Sequence, residues 1–146
     1  MRQARPDDVH NLSALIQAAY SLYVPHLGRK PQPMTDDYAA LIEANEVWVI
    51  EDGSELEGVI VTQTIEDYLL VRTVGITPAR QRQGLGTQLM AEAERLARAA
   101  DIRTLRLYTN EVMAGNVELY ERLGYAETHR DGPEGKQVIY MTKALK

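Results

Sequence analysis

Residues 74–87 read Val74-Gly75-Ile76-Thr77-Pro78-Ala79-Arg80-Gln81-Arg82-Gln83-Gly84-Leu85-Gly86-Thr87, and this is the most informative stretch of the chain. A predicted strand ends here, a turn rich in hydrogen-bond donors follows, and a long helix begins at the two glycines. The first amides of a helix have no partner within it, and the helix dipole favours an anion at that end. Arg80 and Arg82 add positive charge, and the stretch contains no acidic residue. These residues indicate a polyphosphate site, and the alternative is an ordinary glycine-containing turn before a surface helix.

Two common nucleotide-binding patterns do not fit this loop. A nucleoside-triphosphate P-loop ends in Gly-Lys-Ser/Thr, which the chain lacks here. In the dinucleotide-binding pattern the third glycine would fall at Leu89. The loop therefore belongs to neither class.

Outward from the loop, the hydrophobic pattern predicts alternating strands and helices. The predicted strands cover residues 2–4, 47–50, 58–65, 68–76, 103–109, 125–130 and 137–142. The predicted helices begin at Pro6, Thr35, Gly84 and residue 113, and they end near Tyr23, Asn45, Ala100 and residue 123. This order predicts a three-layer α/β (α+β) domain with a mixed sheet between helices. Residues 25–33, with three prolines and a glycine, are the only candidate flexible segment.

Length and composition narrow the function classes. A chain of 146 residues predicts a single domain, 1–146. A net charge of -5 argues against nucleic-acid or membrane binding, which need a positive surface. The absence of cysteine excludes disulfides, thiolate metal sites and a cysteine nucleophile, and no histidine–carboxylate spacing suggests a metal. With no signal peptide or bilayer-spanning run in the sequence, we expect a cytoplasmic location by default.

Two motifs resemble a known family. Gln81-x-x-Gly84-x-Gly86, between a strand and a helix, resembles the pyrophosphate loop of the GCN5-related N-acetyltransferases (GNAT). Further along, Leu119-Tyr120-Glu121-Arg122-Leu123-Gly124-Tyr125 is similar to the family's Leu-Tyr-x-x-x-Gly-Phe/Tyr segment. The order of the elements and the chain length match as well. The resemblance implies a mostly antiparallel mixed sheet in which two parallel strands, 68–76 and 103–109, splay apart around acetyl-CoA.

The same resemblance implies a set of cofactor contacts. The backbone of Val74 and Ile76 would face the pantetheine arm, and Gln81 belongs to the loop motif. The pyrophosphate would be held by the amides of Arg82, Gln83, Gly84, Leu85, Gly86 and Thr87. Asn116 lies one helical turn before Tyr120 on the same face, which directs both side chains at one ligand.

Tyr120 is the predicted general acid. A departing thiolate needs a proton, and the pKa of a thiol is about 8.5 against about 10 for tyrosine. A tyrosine near the sulfur can therefore donate a proton or a hydrogen bond to it. The alternative is that Tyr120 only packs its helix against the sheet.

The general base is less well defined. Relatives often carry an acidic residue at the positions of Leu70 or Arg72, and neither is acidic here. Glu111, just after the strand 103–109, is the predicted substitute. Glu66, Asp67 and His26 are weaker candidates, and each is otherwise a solvated surface residue. A site without a base would favour α-amines and other weakly basic amines.

Arg72 and one loop are the candidates for contacting the acceptor. We expect Arg72 in or beside the cleft, either binding a substrate carboxylate or forming an internal salt bridge with Glu66, Asp67 or Glu111. The resemblance implies that residues 20–30 wall the acceptor pocket, so Tyr23 and His26 are predicted to contact the substrate.

Together these observations predict an N-acetyltransferase that passes an acetyl group directly from acetyl-CoA to the primary amine of a small molecule, without a metal. Two alternatives stay open: a non-catalytic acyl-CoA-binding sensor on the same fold, and a protein or peptide N-acetyltransferase. Family members often pair through sheet edges or C-terminal strands, so a homodimer is a candidate assembly.

Overall fold

The chain forms one mixed sheet with helices on both faces. A computed structural model describes residues 1–146. Its strands are β1 (Arg2–Gln3), β2 (Val47–Asp52), β3 (Glu55–Ile65), β4 (Tyr68–Ile76), β5 (Thr104–Asn110), β6 (Ala126–Asp131) and β7 (Val138–Ala144). Its helices are α1 (Val9–Tyr20), α2 (Val24–Leu27), α3 (Tyr38–Glu43), α4 (Leu85–Ala99) and α5 (Ala114–Arg122). None of them has the length and hydropathy to cross a membrane.

The sheet is antiparallel except at one place. Its strand order is β1-β2-β3-β4-β5-β7-β6, and only β4 and β5 run parallel. These two strands pair over three residues, Leu69–Val71 with Leu105–Leu107. Beyond that, β4 continues to Ile76 and β5 to Asn110 without pairing to each other. A gap therefore opens between their carboxyl ends, which confirms the predicted mixed fold with a splayed parallel pair.

Each face of the sheet has its own hydrophobic core. Strand β3 contributes to both, because neighbouring side chains on a strand point to opposite faces. Ile60 packs under α4 and α5, whereas Val59 and Val61 pack under α1 and α3. Helix α4 buries a stripe at helical spacing that includes Leu89 and Ala93. The two cores hold α4 and α5 on one side of the gap and α1 on the other.

Two local predictions between α1 and β2 are wrong. Helix α1 ends at Tyr20 rather than near Tyr23. The candidate flexible segment, 25–33, begins within α2, which Gly28 ends at a φ of +74°, and its flexibility stays a prediction. The cap of α3 is Asp37, whose carboxylate accepts the Ala40 amide at 3.1 Å. Thr35, the predicted cap, is used by the preceding 3-10 turn, where its hydroxyl donates to the Gln32 carbonyl at 3.1 Å.

Candidate active site

The gap between β4 and β5 leads into two cavities that meet. The larger, here called the groove, has a volume of about 790 Å³ and runs along the start of α4 and the face of α5. The smaller, here called the inner cavity, has a volume of about 120 Å³ and lies between the ends of β4 and β5. Four residues line both cavities and so mark the place where they meet: Tyr20, Val74, Asn116 and Tyr120.

The groove gathers most of the residues predicted to contact the cofactor. Eight of the ten line it: Val74, Ile76, Gln81, Arg82, Gly84, Gly86, Thr87 and Asn116. Gln83 and Leu85 do not line it. The sequence motif therefore brings one strand, one loop and one helix to the same groove.

The loop before α4 is shaped to present backbone amides. Arg82 and Gly84 have left-handed backbones, with φ of +66° and +84°. Such a φ is uncommon for a residue other than glycine and is concentrated at functional sites. Gly84 is the N-cap of α4 and supplies no side-chain cap. The first amides of this 15-residue helix are thus left to a ligand, which fits a polyphosphate.

Two arginines give the groove its positive charge. One of them, Arg82, was predicted to do so, and the other was not. Arg82 and Arg122 line the groove, and neither forms an ion pair. Arg80, predicted to face an anion, instead pairs with Glu57 and, at 3.5 Å, with Asp52. Arg122 was missed although it lies within the second motif. Its position on the last turn of α5, two residues after Tyr120, was the available signal.

Tyr120 lies buried where the cavities meet, and its hydroxyl makes no hydrogen bond within the protein. Its burial raises the pKa of the phenol, with a smaller contribution from Tyr23, so the group stays protonated at neutral pH. Asn116 lies one turn earlier and contacts the sulfur of Met113 at 3.8 Å. The predicted acid therefore has a free donor at the place where two ligands would meet.

Tyr20 is the site residue that sequence reasoning placed only as part of a wall. Its hydroxyl donates to the carbonyl of Val74, and burial raises its pKa. The carbonyl of Ile76 accepts the side-chain amide of Gln81 at 3.2 Å. Both side chains bond the end of β4 that is paired with β3 but not with β5, beside the groove.

Arg72 lines the inner cavity and forms an internal ion pair, but its partner is Asp36. The guanidinium donates Nε to Oδ2 at 3.0 Å and Nη2 to Oδ1 at 2.9 Å, a bidentate arrangement. Gln32 donates to the same carboxylate and accepts the Tyr108 hydroxyl at 2.8 Å. None of the predicted partners, Glu66, Asp67 and Glu111, takes part. Asp36 lies 36 residues away, in the loop before α3, and no sequence spacing links it to β4.

Three predicted residues lie elsewhere. Glu111 lines neither cavity and pairs with Arg130 at 3.1 Å, because its amide donates to the Gln137 carbonyl and places its side chain beside β6. His26 is exposed and also lines neither cavity. Tyr23 lines the groove rather than the inner cavity. The inner cavity is consequently lined by no carboxylate and no imidazole.

No group of three or more histidine or carboxylate side chains is arranged to hold a metal ion. The titratable side chains that line both cavities are the two phenols of Tyr20 and Tyr120.

Comparison with known proteins agrees with this geometry. Residues 43–127, which include the groove loop and α5, match the family model described as an acetyltransferase (GNAT) domain. The fold is similar to that of the PaiA N-acetyltransferase of Thermoplasma acidophilum in complex with coenzyme A, with a TM-score of 0.81 and 16% identity over 99% of this chain and 97% of that one. It is also similar to the ribosomal-protein-S18-alanine N-acetyltransferase of Escherichia coli, with a TM-score of 0.78 and 19% identity over 99% and 92% of the two chains. A third similar structure is YncA of Salmonella typhimurium with acetyl-CoA, with a TM-score of 0.77 and 20% identity over 99% and 92%.

Proposed function

The chain belongs to the GNAT acetyltransferase family, and from that premise we propose that it transfers the acetyl group of acetyl-CoA to the primary amine of a small molecule. The observation that carries the proposal is the junction of groove and inner cavity at the free hydroxyl of Tyr120. A donor ligand in one cavity and an acceptor in the other would meet at this group.

The groove suits a ligand that carries a diphosphate. The uncapped amides of α4 and the unpaired guanidinium groups of Arg82 and Arg122 would bind its negative charge. Val74 and Ile76 would lie beside the pantetheine arm. Coenzyme A and acetyl-CoA are bound in two of the similar structures, which supports this assignment.

The chemistry assigned to the chain is direct transfer. The amine nitrogen bonds to the acetyl carbonyl carbon, the carbon–sulfur bond breaks, and the sulfur leaves with the electron pair. The nitrogen then loses one proton to solvent water, and the thiolate takes up one proton from solvent. Tyr120 donates its hydroxyl hydrogen bond to the departing sulfur. The pKa of tyrosine, about 10, is ordinarily above that of a thiol, about 8.5, and burial raises the pKa of Tyr120 further, so hydrogen bonding to the thiolate is favoured over complete proton transfer.

The acceptor enters the inner cavity as a free amine in this scheme. No carboxylate or imidazole lines that cavity to remove a proton. An α-amine with a pKa of about 8 is roughly one-tenth neutral at pH 7, whereas a lysine-like amine at about 10.4 is neutral in less than about one part in a thousand. The site therefore favours weakly basic amines, and Glu111 has no place in the reaction.

Two other functions are distinguishable from this one. A sensor would bind acetyl-CoA and release no thiol, and it would have no use for a buried donor such as Tyr120. A protein acetyltransferase would need room for a peptide, whereas the inner cavity measures only about 120 Å³. These two observations favour the small-molecule reaction.

The test measures the release of coenzyme A thiol from acetyl-CoA in the presence of different acceptor amines: amino acids, polyamines, aminoglycosides and short peptides. We expect release with at least one small amine, none without an amine, and a mass increase of one acetyl group on the acceptor. Binding of acetyl-CoA without release to any amine would identify a sensor. Release with peptides alone would identify a protein-modifying enzyme.

A homodimer stays a prediction. Strand β6 forms one edge of the sheet, and all six of its residues are exposed. An unpaired edge of this kind is available to a second copy of the chain. Sedimentation of the purified protein measures the assembly directly.

A further inference from the structure

The inner cavity has an unbalanced set of charges. Two cationic side chains line it, Arg29 and Arg72, and no acidic side chain does. Arg72 is already committed to Asp36 through two hydrogen bonds. Arg29 forms no ion pair and no hydrogen bond within the protein. One guanidinium with its full set of donors is thus left over at this cavity.

The backbone places Arg29 there. Gly28 ends α2 with a left-handed backbone, φ +74°, and the chain then turns toward the buried Pro31 and Pro33, which also line the cavity. A second ammonium lies close by, since a Cβ added at Gly28 would be 3.5 Å from Nζ of Lys136. Lys136 forms no ion pair either. The Lys136 ammonium therefore lies beside the turn that precedes Arg29, although Arg29 is the one of the two cations that lines the cavity.

A buried hydroxyl in the same cavity also has no partner. Thr73 is 3% exposed, it lines the inner cavity, and its Oγ1 makes no hydrogen bond. The neighbouring Tyr38 gives its own proton to the carbonyl of Pro33. Buried polar atoms are nearly always paired, so an unpaired hydroxyl in a cavity points to a polar ligand group.

The size of the cavity limits that ligand. About 120 Å³ corresponds to roughly four water molecules at about 30 Å³ each. A compact acceptor fits, whereas a long polyamine does not. A polyamine would also bring a second ammonium toward Arg29 and Arg72 with no carboxylate to receive it.

From these observations we propose that the acceptor is a small amino acid whose carboxylate is bound by Arg29, with Thr73 as a further hydrogen-bond partner. This inference rests on the proposed acetyl transfer and specifies its substrate class. Arg72, held by Asp36, acts as a fixed wall of the cavity. Specificity for the carboxylate thus comes from the segment after α2.

The test compares each amino acid with its own carboxamide, which keeps the skeleton and removes the negative charge. The quantity measured is kcat/KM for both acceptors in the wild type, in Arg29→Ala and in Lys30→Ala. Lys30 is the matched control because it is an adjacent exposed cation that does not line the cavity. For each acceptor, kcat/KM of the variant is divided by that of the wild type. The amine pKa of an acceptor is the same in both measurements, so the different amine pKa values of acid and amide do not affect the comparison.

We expect Arg29→Ala to lower kcat/KM for the amino acid about 10- to 100-fold, the usual effect of losing a charged hydrogen bond. The same change should leave the carboxamide nearly unaffected, and Lys30→Ala should change neither. Equal losses for acid and amide, or no loss with Arg29→Ala, would overturn the inference while acetyl transfer itself stands. If no amine is acetylated at all, the proposed function fails first and this inference fails with it.

Discussion

At the scale of single residues, two tyrosines beside the site pack with their ring centroids 6.1 Å apart. Tyr120 and Tyr125 are both buried, and burial raises the pKa of each phenol. They differ in what their hydroxyls face. Tyr120 reaches both cavities, whereas the Tyr125 hydroxyl is enclosed in the protein without a partner. The two therefore form a matched pair for testing the role of a hydroxyl.

Replacing Tyr120 by phenylalanine should lower kcat about 100-fold with acetyl-CoA saturating, because the departing sulfur loses its hydrogen-bond donor. The KM for acetyl-CoA should change little, since the ring and its packing remain. Tyr125→Phe is the control and should keep full turnover. Steady-state rates of thiol release measure both variants. Full turnover by Tyr120→Phe would remove this residue from the chemistry.

The pH dependence of kcat/KM should follow the acceptor and not the enzyme. No carboxylate or imidazole lines the inner cavity, so the rate should rise with the neutral fraction of the amine. Acceptors with amine pKa values of about 8 and about 10.4 should give midpoints that differ accordingly. Because burial raises the pKa of Tyr120, the phenol stays protonated and no decline should occur up to its ordinary value of about 10.

Glu111→Gln serves as the control for this profile, since Glu111 pairs with Arg130 outside both cavities. Its profile should match that of the wild type. A midpoint common to both acceptors and shifted in Glu111→Gln would show that an enzyme base exists after all.

At the scale of the elements, the backbone at the start of α4 is the part that sequence reasoning predicts best. The two glycines, the preceding strand and the absence of acids together indicated a helix N-terminus open to an anion. The strand β4 was predicted with its observed ends, Tyr68 and Ile76. Strong local patterns of this kind depend on neighbouring residues only.

Replacing Gly84 by alanine should destabilise the protein by about 1 kcal/mol, because its φ of +84° is unfavourable for a residue with a Cβ. The added methyl meets no other atom within 4 Å, so the effect is purely conformational. It should also raise the KM for acetyl-CoA, since the loop must adjust. Urea denaturation and initial rates measure the two effects.

Gly115→Ala, at the start of α5, is the matched control. Gly115 has open space around it and no left-handed backbone, so alanine there should stabilise the helix by about 0.5–1 kcal/mol. Equal stability changes in the two variants would contradict the conformational explanation.

The segment between α1 and β2 shows what sequence patterns could not predict. Asp36, Gln32 and Arg29 carry little periodic signal, and their roles arise because this segment folds over the end of β4. The Arg72–Asp36 pair joins residues 36 positions apart, and only the assembled tertiary structure specifies it. The same reason applies to Glu111. The sequence places it directly after β5, as predicted, but its contacts with the segment before β7 and with Arg130 determine that its side chain lies outside both cavities.

At the scale of the whole molecule, charge is distributed by function. The net charge is -5, yet the groove contains Arg82 and Arg122, and the inner cavity contains Arg29 and Arg72. An acidic surface disfavours polyanions such as nucleic acids, while the cavity arginines without an ion pair, Arg29, Arg82 and Arg122, are available to small anions. The overall charge therefore predicts poorly what the cavities bind.

Besides its pairing with β2, the N-terminal strand contacts the domain through one ionic cluster. This cluster predicts how the free energy of unfolding depends on pH. Arg2 bonds Asp8 at 2.8 and 3.0 Å and also bonds Glu51 on β2. The Arg2 guanidinium, opposed by desolvation and aided by the Arg5 amide, holds the pKa of Asp8 below its usual range. Its stabilisation is complete above the unfolded value of about 3.9 and is lost as pH falls through the lower folded value.

Asp8→Asn should lower the free energy of unfolding by about 2 kcal/mol at pH 7, because a charged hydrogen-bond pair is lost. The difference from the wild type should shrink as the pH falls below about 4, where Asp8 of the unfolded chain becomes protonated, and should vanish once the folded carboxylate is protonated at lower pH. Urea denaturation at a series of pH values measures this. A difference that is the same at pH 7 and at low pH would contradict the role of the carboxylate charge.

We propose that a donor in the groove and an acceptor in the inner cavity react directly at Tyr120. The decisive measurement is the initial rate of thiol release, with acetyl-CoA and the acceptor amine both varied. Direct transfer within a ternary complex predicts double-reciprocal lines that intersect, with the same pattern at a much lower rate in Tyr120→Phe. Parallel lines, which indicate an acetylated enzyme, or thiol release independent of the amine would contradict the account.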